Sequence, residues 1–251
     1  MVLLRFGLSI LLLVFGITGS SPRQAAAQTS VSIELVLAVD TSLSVNDIEF
    51  RLQMKGIAAA LRSPDVINLI MSYDGVAITL IQWAGWTNKE NWLPWHRLKS
   101  RQSIEALARD IENIKRDRVG NLTGIGTAIE AGLFALANNQ FVGRQMKIDV
   151  SGDGISNIGI EPNEARLRAV AAGVTINGLA IILNDSGLDA YYAEHVITGP
   201  GAFVIKAKDH GDFARAMRLK LLRELAPAVS GLEPQNRSKY SSCSHCETAA
   251  R

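Results

Sequence analysis

The stretch Val31–Ser44 reads VSIELVLAVDTSLS and joins an apolar run to a carboxylate and three hydroxyl groups. The run from 33 to 39 is almost continuously apolar, which is typical of a strand buried on both faces of a parallel sheet. In open α/β sheets, ligands bind at the carboxyl ends of the strands, where Asp40, Ser42 and Ser44 alternate and can turn three oxygens toward one point. Hard oxygen donors favour Mg²⁺, Ca²⁺ or Mn²⁺ over Zn²⁺. A helix N-cap region, in which Ser and Asp are also common, is the alternative interpretation.

Two later segments supply further oxygen donors. Residues 121–132, NLTGIGTAIEAG, place Thr123 in a glycine-punctuated loop ahead of a predicted helix. Residues 147–157, KIDVSGDGISN, place Asp153 directly after a second short apolar strand. Three separated segments therefore bring oxygen donors to positions at which metal ligands are expected.

Taken together, Asp40-Thr41-Ser42-Leu43-Ser44, Thr123 and Asp153-Gly154 resemble the metal-ion-dependent adhesion site (MIDAS) of the von Willebrand factor A (VWA) fold, which integrin I domains share. From about 31 to 226 the chain also resembles an uncharacterised family of exported bacterial VWA-like proteins. The expected fold is a three-layer α/β domain, with a mostly parallel central sheet, one antiparallel edge strand and helices on both faces. The resemblance implies one divalent cation, Mg²⁺ first, with Mn²⁺ or Ca²⁺ as alternatives. It further implies that Ser42 and Ser44 bind the ion directly, Thr123 directly or through water, and Asp40 and Asp153 largely through water.

Two polar residues around the third segment are candidates for supporting roles. Asp149 lies inside the predicted strand and needs a hydrogen-bond donor if it is buried. We interpret it as structural support, with a role behind the metal ligands as a further option. Asn157 is a candidate for hydrogen bonding around Asp153 in the same way.

The two ends of the chain differ in composition from its middle. Residues 1–27 have an apolar segment, shorter than the ~20 residues that a membrane span needs, followed by Ala25-Ala26-Ala27, and predict a cleaved secretory signal peptide. An uncleaved anchor is the alternative. Residues 28–226 form the predicted VWA-like domain, which has no later run apolar enough to span a membrane, so we expect a periplasmic or extracellular protein. Residues 227–251 form a polar tail that carries the two cysteines, Cys243 and Cys246.

Charge and aromatic content exclude some functional classes. The chain has 26 basic and 24 acidic side chains, and the basic ones are scattered, so nucleic-acid binding is not expected. Four tryptophans at positions 83, 86, 92 and 95 predict a small satellite core beside an edge strand at 91–98. A carbohydrate or peptide platform is the alternative for this cluster.

The predicted function is metal-dependent protein binding and not catalysis. Because the two carboxylates are expected to act largely through water and the direct donors are neutral oxygens, a divalent ion keeps much of its positive charge, with a position open for an acidic residue of a protein partner. A metal-dependent phosphohydrolase that uses Asp40 as its nucleophile is the competing interpretation. That chemistry requires a second carboxylate at position 42, where this chain has Ser42. The histidines, at positions 96, 195, 210 and 245, fall outside the three segments, so no base is predicted beside the ion. A VWA-like scaffold that uses no metal is the third possibility.

Overall fold

The computed structural model describes residues 28–118, 120–183 and 187–226. The predicted signal peptide (1–27) and polar tail (227–251), with Cys243 and Cys246, lie outside the described residues.

A mostly parallel sheet forms the centre of the protein. Among the described residues it has six strands in the order β3-β2-β1-β4-β5-β6, and β3 is antiparallel to its neighbour while the other pairs are parallel. The strands are β1 (Thr29–Asp40), β2 (Val76–Trp83), β3 (His96–Leu98), β4 (Phe141–Gly152), β5 (Val174–Ile181) and β6 (Val204–Ala207). Residues 33 to 39 of β1 are buried, as expected for a strand covered on both faces.

Helices cover both faces of the sheet. They are α1 (Asp47–Arg62), α2 (Pro64–Met71), α3 (Arg101–Asn113), α4 (Ile125–Ala137), α5 (Pro162–Ala171), α6 (Leu188–Tyr191) and α7 (Phe213–Leu225), and a π-helical turn, Tyr192–Val196, follows α6. One core cluster lies between the sheet and α1, α3 and α7, and a second lies between the sheet and α4 and α5. This is the predicted three-layer α/β architecture, which the structure confirms. None of the helices in the described part of the chain has the length and apolar character needed to cross a membrane.

Local sequence signals set several of these boundaries. The side chain of Asn46 accepts hydrogen bonds from Ile48 N and Glu49 N, and Glu49 bonds back to Asn46 N, so the predicted capping box starts α1. Three boundaries differ from expectation. The edge strand expected at 91–98 is only His96–Leu98, since just these residues pair with β2. The strand expected at 147–150 begins at Phe141, because its half-exposed amino half pairs with the start of β1. Residues 209–225 predict a closing helix with Asp209 as its candidate cap, but α7 begins at Phe213.

The tryptophan cluster divides between core and surface. Trp83 is fully buried, while Trp92 and Trp95 are partly buried against the core clusters. Trp86 contradicts the prediction of a satellite core, because 58% of its surface is exposed. It follows β2 and so lies at the same edge of the sheet as the end of β1.

The strand order fixes where a ligand can bind. The chain leaves β1 through α1 toward β2 on one side and leaves the neighbouring β4 through α5 toward β5 on the other, so these two connections diverge and leave a crevice at the carboxyl edge. Asp40 is the last residue of β1, and Asp153 directly follows β4. The fold therefore brings the two candidate carboxylates together at this edge.

Candidate metal centre

A chain of hydrogen bonds joins the first and third predicted segments. Asp40 Oδ1 accepts a hydrogen bond from Ser42 N at 2.7 Å, which turns the loop after β1 back on itself. Ser42 Oγ lies 3.1 Å from Ser44 Oγ, and Ser44 Oγ donates to Asp153 Oδ1 at 2.6 Å. The structure thus gathers four of the five predicted ligand residues into one contiguous polar cluster.

The second oxygens of both carboxylates have no donor. Asp40 Oδ2 and Asp153 Oδ2 are buried and make no hydrogen bond in the described structure, and both side chains are fully buried. Burial, and then the negative charge of Asp153, raise the pKa of Asp40 to about 7. Two buried carboxylates with unpartnered oxygens beside hydroxyl groups are a donor set that fits a hard divalent cation.

Hydroxyl oxygens are necessary to this fit. No group of three or more His, Cys, Asp or Glu side chains in the described ranges is arranged as a metal site. A cation at this position would therefore be held by the serine and threonine oxygens together with the two carboxylates.

Thr123, the fifth predicted ligand, is tied to the segment that carries Asp153. Thr123 N donates to Asn157 Oδ1 at 2.9 Å, and Asn157 N donates to Thr123 O at 2.8 Å. Thr123 Oγ1 lies 3.6 Å from the point at which a Cβ of Gly154 would stand, so it faces the loop after β4. Asn157 therefore holds the Thr123 loop, and the described structure records no hydrogen bond between Asn157 and Asp153.

Asp149 lies deeper in the sheet and points toward α7. Its Oδ1 is 3.2 Å from Lys220 Nζ and 3.4 Å from Ser151 Oγ, and both charged side chains are fully buried. Burial raises the pKa of Asp149 to about 6. Lys220 is the donor that a buried Asp149 was expected to need. The contacts of Asp149 therefore connect β4 to α7.

An arginine braces the first loop. The charges in and just after the helical pattern of residues 100–114, Arg116 among them, predict a solvated helix face, but α3 ends at Asn113 and the Arg116 side chain is mostly buried. Its Nη2 donates to Thr41 O and Ser42 O, both at 3.1 Å, and its Nη1 donates to Asp47 Oδ1 at 2.7 Å. These bonds hold the backbone around Ser42 in place. No local pattern predicts a bond between residues so distant in the chain.

A histidine that the sequence placed outside the site lies against it. His210 follows β6, is 4% exposed, and its Nε2 is 3.6 Å from Asp153 Oδ2. The expectation that no imidazole stands beside the carboxylates was therefore wrong. The only available signal was its position after the carboxyl end of a strand, which does not show how far the loop reaches.

Solved structures with this architecture include adhesion and matrix proteins. The mussel byssus proximal thread matrix protein 1 has a TM-score of 0.59 at 18% identity, over 79% of this chain and 49% of its own. Another structure of the same protein is described with a zinc-occupied MIDAS motif, and it has a TM-score of 0.54 at 17% identity over the same shares of the two chains. The pilus adhesin SpaC of Lactobacillus rhamnosus GG gives 0.54 at 12% identity, over 77% and 31%. The vWF domain of the pilus tip protein Mfa5 of Porphyromonas gingivalis gives 0.51 at 12% identity, over 76% and 94%.

These similarities identify the fold as VWA-like, and they do so through structure and not sequence, since every identity is below 20%. The chain spans about half of the mussel protein and about a third of the SpaC chain. No curated protein sequence matches it. The family model described as "Protein of unknown function (DUF1194)" matches residues 30–229, which is most of the chain. The protein therefore belongs to the DUF1194 family and has a VWA-like fold.

Proposed function

We propose that this protein is an exported module that binds one divalent cation and uses it to hold a protein partner. The proposed ligands are Asp40, Ser42, Ser44, Thr123 and Asp153. The observation that carries the proposal is the pair of buried carboxylates whose free oxygens have no donor in the described structure.

The chain's own residues set the charge of the site. When bound, the cation supplies a positive centre with a coordination position open to an outside ligand. Ser42 and Ser44 are neutral donors, so only Asp40 and Asp153 offset the charge of the ion. Mg²⁺ is the cation we propose, with Mn²⁺ or Ca²⁺ as alternatives, and the zinc-occupied MIDAS motif of the mussel protein supports a divalent ion in this fold.

The surroundings of the site favour a protein partner. Five large apolar side chains on the loops at this edge are 38% to 70% exposed, and we call them the apolar rim: Leu43, Trp86, Leu122, Ile155 and Ile158. Leu43 stands between the two serines, Leu122 precedes Thr123, and Ile155 closely follows Asp153. Leu122 and Ile158 both come within 4 Å of the point where a Cβ of Gly85 would lie.

The rim and the site together define the partner's chemistry. Exposed apolar side chains concentrated at one place mark an interaction surface. An acidic side chain suits the open position of the cation, and flanking apolar side chains suit the rim. We therefore propose a protein segment with a Glu or Asp between large apolar residues as the occupant.

The location proposed for this interaction is the periplasm or the outside of the cell. The predicted signal peptide is the basis, and the pilus proteins among the structures with this fold agree with it. Because this chain covers only part of SpaC, the partners of that adhesin are not carried over.

The test is binding of immobilised peptides that carry a central Glu flanked by Leu and Phe, compared with the same peptides flanked by Ser. We expect the protein to retain the apolar-flanked peptides in Mg²⁺ and to release them on addition of EDTA or in Ser42→Ala. Trp86→Ser should weaken binding by about 1 kcal/mol or more, because an aromatic side chain at an interface contributes on this scale. Controls are Ser72→Ala, at the end of α2, and Leu167→Ser, an exposed residue of α5.

Other results would favour the competing classes. Peptide or partner binding that is equally strong in EDTA favours a scaffold that uses no metal. Metal-dependent phosphatase, esterase or peptidase turnover that is lost in Asp40→Ala favours a hydrolase.

A further inference from the structure

His210 is a buried histidine whose ring faces the candidate site. It is only 4% exposed, and neither ring nitrogen has a hydrogen-bond partner in the described structure. The charged groups that face it are Asp153, with Oδ2 at 3.6 Å from Nε2, and Glu49, with Oε2 at 4.0 Å. Glu49 Oε2 already accepts the hydrogen bond of the capping box from Asn46 N at 2.7 Å. The unpartnered oxygen of Asp153 is thus the nearer group for Nε2.

The separation of these two atoms suits a shared ion. Metal bonds to imidazole nitrogen and to carboxylate oxygen are each about 2.0–2.2 Å long, so two donors on one ion stand about 3 to 4 Å apart. The 3.6 Å between His210 Nε2 and Asp153 Oδ2 falls in this range. Both atoms are buried and lack partners, and an ion between them would satisfy both.

We propose that His210 is a nitrogen ligand of the same site, acting with Asp153 and the serine oxygens, and that it raises the affinity of the site for transition metals such as Zn²⁺ and Co²⁺ while leaving its affinity for Mg²⁺ unchanged. This inference rests on the proposed metal site and adds a sixth ligand residue to it. Imidazole suits zinc and similar ions, whereas Mg²⁺ takes oxygen ligands almost exclusively. Loss of the imidazole should therefore affect one class of ion and spare the other.

The experiment compares affinities by calorimetry for Zn²⁺ and Mg²⁺, titrated separately. It uses the whole protein with Cys243→Ser, His245→Gln and Cys246→Ser, which removes the thiols and the imidazole of the tail as competing sites. In this background, His210→Gln should lower Zn²⁺ affinity about tenfold or more. Mg²⁺ affinity should stay within about threefold, because Mg²⁺ gains little from a nitrogen donor. The matched control is His195→Gln, a partly exposed histidine that bonds to Asn163 and should leave both affinities unchanged.

A spectroscopic measurement tests the same point without relying on affinities. Pulsed electron paramagnetic resonance of Mn²⁺ bound to the protein should detect coupling to an imidazole nitrogen, and His210→Gln should abolish it. Thermal unfolding in EDTA checks that the variant folds.

Two results would overturn the inference and leave the proposed function standing. The first is the absence of nitrogen coupling to Mn²⁺ in the protein that retains His210. The second is an equal loss of Zn²⁺ and Mg²⁺ affinity in His210→Gln. Either would make His210 a structural partner of Asp153. If the unchanged protein binds none of the divalent ions, the proposed function itself fails.

Discussion

At the scale of single residues, the candidate site depends on how closely the backbone approaches Asp40. Gly152, the last residue of β4, has no side chain, and a Cβ atom there would lie 2.9 Å from Asp40 Oδ2 and 2.8 Å from Tyr192 Oη. The pKa of Tyr192 is raised by its burial and by the charge of Asp40. Any larger residue at position 152 would therefore crowd Asp40 Oδ2, the carboxylate oxygen that has no hydrogen-bond donor in the described structure.

Replacing this glycine tests the arrangement. We expect Gly152→Ala to displace the Asp40 carboxylate, to lower Mg²⁺ affinity about tenfold or more, and to destabilise the fold by about 1–3 kcal/mol through overpacking. Calorimetry and urea unfolding measure the two effects. Gly85→Ala is the matched control, since its Cβ would meet Ile158 and Leu122 at an ordinary 3.5–3.9 Å and no proposed ligand. Equal metal affinities in the two variants would show that Asp40 Oδ2 does not contribute to binding.

The residues of the candidate site divide by how the sequence encodes them. Asp40, Ser42, Ser44 and Asp153 could be placed together because each follows a strand whose carboxyl end meets the same edge. His210 and Arg116 could not, because their roles arise from contacts between loops that are far apart in the chain. Strand order alone does not give the direction in which such loops fold back.

At the scale of elements, β4 and α7 are joined by buried charges. Lys220 Nζ lies 3.2 Å from Asp149 Oδ1 and 2.9 Å from Glu224 Oε1, and all three side chains are fully buried. Asn177 Nδ2, on β5, donates to Glu224 Oε2 at 2.8 Å. Lys147 Nζ, on β4, also lies 4.0 Å from Glu224 Oε2. Among the described residues, Lys220 is therefore the one cation of this network that contacts both carboxylates, and it links the sheet to its last helix.

Removing this lysine should have a large effect on stability. We expect Lys220→Met to lower the free energy of unfolding by about 3–5 kcal/mol, because it leaves the buried Asp149 carboxylate without a cation and Glu224 with only Lys147 Nζ, 4.0 Å away. Arg218→Met, on an exposed turn of the same helix, removes a surface pair with Asp65 and should cost about 1 kcal/mol or less. Urea unfolding compares the two.

The same variant separates support from metal binding. In Lys220→Met, Mg²⁺ affinity should stay within about threefold, since the network contacts no proposed ligand. A Lys220→Met protein as stable as the original would contradict this account of the network. A selective loss of metal affinity would instead give Asp149 the role behind the ligands that the sequence left open.

The elements themselves were predictable to different degrees. The buried run of β1 and the capping box of α1 are continuous local patterns, and both appear as expected. Helix α7 was expected from Asp209, but Asp212 is its N-cap residue and Asp209 Oδ1 instead accepts a hydrogen bond from Asp212 N. Two aspartates three residues apart offer the same capping signal, and only the turn between them decides which one precedes the helix.

At the scale of the whole molecule, the proposed ligands come from three separate segments of the chain. Asp40, Ser42 and Ser44 follow β1, Thr123 precedes α4, and Asp153 follows β4. An unfolded chain does not hold these segments together, so a cation bound to all of them favours the folded state alone. Metal binding at this site should therefore stabilise the entire domain and not one loop.

Thermal unfolding with and without Mg²⁺ tests this coupling. At a Mg²⁺ concentration 100-fold above the Kd measured by calorimetry, the free energy of unfolding should rise by about 2.7 kcal/mol. For a domain of this size, that corresponds to an increase in Tm of about 5–10 °C relative to EDTA.

Asp153→Ala should show no increase in Tm on addition of Mg²⁺, because it lacks one of the two carboxylates. Its Tm in EDTA should match or slightly exceed that of the unchanged protein, since the remaining carboxylate no longer faces a like charge. If Mg²⁺ binds but leaves Tm unchanged, the ion binds the unfolded chain equally well, and a site built from three segments is ruled out.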